Sequence, residues 1–162
     1  MKKVISIVLF TVLLIMGMSG CDGEEEHPLP SAVPTPKNNM ETLTIYSINS
    51  DNATLIPVPV KKSTEKLSEK YIAALVLENL NEEEIIVDSV KQKGKKVILS
   101  FSSKGKPIQK CSEKMENLIL ECFANSLLDN VKGCSEVIFR CDGKAYKSKN
   151  QSFGLNEVYA SE

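Results

Sequence analysis

Hydrophobic and polar positions alternate with two different periods along this chain, and the changes of period predict its elements. Leu43 to Ile48 alternates with period two and predicts a strand. Ala53 to Val60 is strand-like too, but Pro57 and Pro59 lack ladder donors, which predicts an edge position or an irregular segment. Asn49 to Asn52 supplies the turn between them. A helix is expected from Glu65, capped by Ser63 or Thr64, with Leu67, Tyr71, Ala74, Leu75 and Glu78 at helical spacing and Ile72 and Val76 widening the stripe. Glu84 to Lys91 and Lys96 to Ser102 predict a hairpin around Gly94. The clearest helix runs from about Gln109 to Asp129, where Cys111, Met115, Leu118, Ile119, Cys122, Phe123 and Ser126 form one apolar stripe. Glu136 to Arg140 predicts a strand, and Asp142-Gly143 is a type I′ hairpin signal leading into Lys144 to Lys147. A short strand within Gln151 to Tyr159 closes the pattern. The sum is an α+β fold, a small mixed or antiparallel sheet with two helices packed on one face.

The first twenty residues follow a different logic. Lys2 and Lys3 lead into an apolar run, Val4 to Met16, and then Gly17-Met18-Ser19-Gly20-Cys21. A positive start, an apolar middle and small residues before a processing point are the anatomy of an export signal. The run is shorter than the roughly 20 apolar residues of a membrane span. Met18-Ser19-Gly20-Cys21 resembles a bacterial lipobox. That resemblance implies cleavage before Cys21, lipidation of its thiol, and a protein held on the outer face of the cell membrane by lipid. Residues 22–39 carry Glu24-Glu25-Glu26 and then four prolines, too polar and too proline-rich to bury a core. Extended at about 3.1 Å per residue, such a tether would reach roughly 50 Å. The expected organisation is therefore a signal peptide over 1–20, a lipidated tether over 21–40 and one domain over 41–162.

Composition supports a globular domain, since 42% hydrophobic and 25% charged residues can form both a core and a soluble surface. The formal charge of −1 and the scattered basic residues exclude a nucleic-acid surface of the strongly basic kind. With aromatic residues at 6% and no tryptophan, a sugar-stacking cleft is not expected.

Three segments resemble one known family. Leu99-Ser100-Phe101-Ser102, Glu116 to Leu127 and Val137 to Gly143 correspond to the central strand, the long helix and the hairpin of the GerMN domain, a module of sporulation and spore germination. The upstream strand–helix unit, Thr42 to Leu80, fits the same order. Where the family commonly carries Gly-Pro and Pro-x-Gly-Thr segments, this chain has Glu78-Asn79-Leu80-Asn81-Glu82-Glu83-Glu84. The resemblance implies a non-catalytic, lipid-anchored protein that assembles with other envelope or sporulation proteins. The alternative is a lipid-tethered binding protein for a small ligand or for peptidoglycan.

Candidate chemistry is confined to cysteine. Cys111 and Cys122 are separated by about 16 Å of helical rise, and Cys134 and Cys141 by about 23 Å of extended chain, so neither pair can bond internally. An antiparallel helix and strand would bring Cys111 towards Cys141 and Cys122 towards Cys134. Outside the cell both bonds are permitted, each contributing about 2–4 kcal/mol; free thiols in the core are the alternative. The spacing lacks the C-x₂₋₄-C pairs of zinc sites, so no metal is expected. The sole histidine, His27, lies in the tether, and no catalytic histidine pairing is available. Glu113 and Glu116 look like the wet face of the long helix. No cofactor and no enzyme activity are expected.

Overall fold

The computed structural model describes residues 42–62, 66–82 and 84–161. Two strands, β1 (Thr42–Asn49) and β2 (Thr54–Lys61), form an antiparallel hairpin of their own. Helix α1 (Glu69–Leu80) follows, then β3 (Val87–Lys93), β4 (Lys96–Phe101), helix α2 (Glu113–Asn130) and β5 (Glu136–Cys141). Two short strands, β6 (Lys144–Ala145) and β7 (Ala160–Ser161), both pair with β5. The main sheet has the order β3-β4-β5-β6, with β4 and β5 parallel and the other pairs antiparallel. The fold is thus α+β, as expected, but the first hairpin is a separate sheet rather than part of the main one.

Parity along the strands decides which face is covered. Val97, Leu99, Phe101, Val137 and Phe139 are fully buried and form the helix-facing side of the main sheet. α1 and α2 pack on each other, α1 against β3 and α2 against β5, while β1 lies along both helices. α2 is therefore buried over a wide arc, including Leu120 and Ala124, which no single-sided stripe would bury. Phe101 sits at the centre of an aromatic cluster, with its ring 5.4 Å from Phe123, 5.7 Å from Phe139 and 6.4 Å from Tyr146.

The helix boundaries are set by caps further along the chain than the pattern suggests. Ser68 caps α1, its hydroxyl accepting from the Tyr71 N–H at 3.2 Å, and Ser63 to Glu65 lie outside the described residues. The buried residues of α1 are Ile72, Ala73, Leu75 and Val76, whereas Ala74 and Glu78 are exposed. Ser112 caps α2 through the Met115 N–H at 3.3 Å, leaving Gln109 and Cys111 in the preceding loop. That loop is held against the start of β3. A Cβ at Gly105 would collide with the Glu84 carbonyl oxygen, and the Lys106 N–H donates to that same oxygen at 2.8 Å. Asp142 and Gly143 both have positive φ, 49° and 74°, as the predicted tight turn requires.

Both edges of the β1–β2 hairpin are closed, by different means. The Tyr46 N–H donates to Ser126 Oγ at 2.9 Å, and Asn130 Nδ2 donates to the Thr44 carbonyl at 2.7 Å. Residues 44 and 46 therefore turn their backbone groups towards α2, away from β2. Their ladder partners are Pro59 and Pro57, which consequently occupy non-hydrogen-bonded positions. The prolines cost the ladder nothing. What they remove is two outward-facing donors on the edge of β2 that pairs with no strand among the described residues, which blunts that edge against another strand. The double substitution Pro57→Val and Pro59→Val is expected to restore those donors and make the protein self-associate with rising concentration. Sedimentation velocity reads this directly; a variant as monodisperse as the wild type over the same range would contradict it.

Candidate functional site

The end of the molecule where β4 and β5 finish carries the most unusual polar group. Glu116, one turn into α2, is fully buried rather than on the wet face of its helix. Its Oε1 accepts from the Tyr146 hydroxyl at 2.8 Å and its Oε2 from Asn150 Nδ2 at 2.6 Å. The same amide donates to the Cys111 carbonyl at 3.3 Å, and Gln151 Nε2 donates to Asn117 Oδ1. Both donors to Glu116 are neutral groups. Burial, reinforced by the bond to Glu116, raises the Tyr146 hydroxyl well above its ordinary pKa.

This network fastens the C-terminal segment across the end of α2. Tyr146 stacks on Phe153 with ring centroids 5.0 Å apart, Phe153 meets Tyr159 edge-on at 5.3 Å, and Tyr159 lies 4.8 Å from Phe139. The Tyr159 N–H donates to the Val137 carbonyl at 2.8 Å, beside the β5–β7 pairing. One signal for Glu116 was present in the sequence: it stands three, seven and eleven residues before Ile119, Phe123 and Leu127, all of them buried. Tyr146 and Asn150 carry no such periodic mark.

The predicted site residues fare differently. Cys21 and His27 lie outside the described residues. Cys111, Cys122, Cys134 and Cys141 are present in the structure without a Cys111–Cys141 or Cys122–Cys134 bond. The Cys134 thiol points instead at the Glu136 carbonyl, 3.7 Å away. Burial pushes the Cys122 thiol up to about 12, and raises Cys111 and Cys141 as well. Such thiols stay protonated at neutral pH and make poor nucleophiles. Among the described residues, no group of three or more His, Cys, Asp and Glu is arranged to hold a metal ion, and no helix is long and apolar enough to cross a membrane.

The outer face of the main sheet, opposite the helices, carries the remaining polar cluster. Register places Lys93 beside Lys96 and Glu136, Lys91 beside Ile98 and Ile138, and Ser89 beside Ser100 and Arg140. Glu136 is held by Lys95 at 2.5 Å and Lys96 at 3.0 Å, and these two ammonium groups keep its carboxyl below the usual carboxylate range. Arg140 donates through Nε to the Leu155 carbonyl and through Nη2 to Asn156 Oδ1, both at 3.1 Å.

Two outcomes follow from this geometry. Glu116→Ala leaves the Tyr146 hydroxyl and the Asn150 amide buried without their acceptor and should cost about 3 kcal/mol of stability, whereas Glu116→Gln, which keeps an acceptor, should cost less than about 2 kcal/mol. Urea unfolding measures both, and equal, negligible effects would contradict the network's role. Peptide mass spectrometry after alkylation of unfolded, unreduced protein should find Cys111, Cys122, Cys134 and Cys141 all modified, with Cys122 the slowest of the four in the native state. Cystine-linked peptides joining any of them would overturn this.

No family model matches the chain, and no curated protein matches it. Among solved structures the chain is similar to a candidate lipoprotein from Clostridium perfringens, with 12% identity and a TM-score of 0.43, over 75% of this chain and 93% of that one. It is also similar to the tandem GerMN domains of the sporulation protein GerM from Bacillus subtilis, with 17% identity and a TM-score of 0.48, over 82% of this chain. The match spans 50% of that tandem chain.

Proposed function

We propose that this chain is a non-catalytic, lipid-anchored envelope protein whose GerMN-like domain takes part in assembling a sporulation or germination complex. The observation that carries the reading is the position of the three segments that resemble the family. Leu99 to Ser102, Glu116 to Leu127 and Val137 to Gly143 fall on β4, α2 and β5 with its turn. They are successive parts of one unit in which two parallel strands are joined through the central helix. The export signal and Cys21 supply the anchoring half of the reading, and the acidic, proline-rich stretch after Cys21 supplies the spacing.

A module of this kind works by presenting surfaces at a set distance from the bilayer, so anchoring is the step to test. Cells fed radiolabelled palmitate are expected to label the wild-type protein, and Cys21→Ser is expected to abolish the label and retain the uncut precursor. An unlabelled wild-type band with an intact N-terminus would overturn the proposal.

A further inference from the structure

The outer face of the main sheet holds a cleft of about 160 Å³ lined by Ser89, Lys91, Lys93, Ile98, Ser100 and Arg140, together with Gly143. Its charge is one-sided. Lys91, Lys93 and Arg140 contribute three cations, while Glu136, the carboxyl group at the neighbouring register position, is already taken by Lys95 and Lys96. Among the described residues, neither Lys91 nor Lys93 has an ion pair, and both are exposed. Ser100 is buried in the wall, and its oxygen accepts from the Gly143 N–H at 2.8 Å, which leaves its own O–H to donate. Arg140 is fixed along one edge by Leu155 and Asn156, which orients its guanidinium while keeping further N–H groups for a ligand.

We propose that this cleft binds a phosphodiester chain. Lysines two residues apart on one strand stand about 7 Å from each other, and the span from β3 to β5 is about 10 Å. These distances suit anionic charges repeated along a flexible chain. Lysine ammonium groups bind phosphoryl oxygens as point charges and do not need the flat, two-pronged geometry of a carboxylate–arginine pair. The volume is below the roughly 300 Å³ of a drug-sized pocket and fits one small repeating unit. Ile98, at the floor, gives the carbon atoms between phosphates an apolar seat. The inference rests on this face alone and stands whether or not the assembly reading holds. A charged lysine pair on an edge strand also discourages sheet extension, so the test has to separate specific binding from edge protection.

The full chain in neutral detergent is titrated calorimetrically with two probes: a soluble glycerol-phosphate oligomer, and micelles of the same detergent doped with phosphatidylglycerol. Binding to either probe is expected, weakened tenfold or more in the Lys91→Gln, Lys93→Gln double variant. The Lys70→Gln, Lys114→Gln variant, with the same change of net charge on the two helices, is expected to bind within twofold of the wild type. Loss confined to the oligomer identifies a soluble or wall-borne polymer, and loss confined to the doped micelles identifies lipid headgroups. Absence of binding to both probes, or equal weakening in the two double variants, would overturn the proposal.

Discussion

A buried carboxyl group holds the two ends of the domain's architecture together. Glu116 has traded water for one phenolic hydroxyl and one amide, and it is worth burying only while both stay in place. Those donors belong to the segment after β5, so the C-terminal stretch is tied to the first turn of α2. The aromatic chain Phe101–Tyr146–Phe153–Tyr159–Phe139 continues the same closure through apolar contact. Without that segment the β5 edge would lose its partners β6 and β7, and the Phe101 cluster would open at one end.

The rest of the molecule is organised around keeping strand edges occupied. On the hairpin, α2 side chains satisfy one edge and two prolines silence the other. On the main sheet, two short strands share the outer edge of β5, leaving β3 with its lysines as the remaining edge. This division leaves the outer sheet face, with its cationic cleft, as a surface the fold exposes. A module with one blunted hairpin and one charged face would present that face without inviting indiscriminate strand pairing.

Much of the fold was legible because its signals are local. Period-two alternation marked β1, β4 and β5, Asp142-Gly143 marked a turn whose residues do take positive φ, and the stripe from Met115 to Ser126 marked α2. Boundaries were less legible: α1 starts after Ser68 rather than after Ser63 or Thr64, and α2 starts after Ser112 rather than at Gln109. The breadth of α2's burial was hidden as well, because it depends on β1 lying along a second side of the helix. Glu116 was misread because the segment that covers it, with Tyr146 and Asn150, returns from about 30 residues further along the chain.

By itself, the sequence determined the α+β class, the order of the main elements and the apolar face of the main sheet, and it kept the proline-bearing segment from a central strand. These follow from periodicity and from proline's missing donor, which act within a few residues of chain. Only the tertiary structure decided that the first hairpin stands apart from the main sheet, that Glu116 is buried on Tyr146 and Asn150, and that Lys91, Lys93 and Arg140 share a cleft. Each of these joins residues about 30 or more positions apart, or turns on which neighbour lies across a strand. Such relations are fixed by packing free energy summed over the whole core, to which no short window of sequence has access.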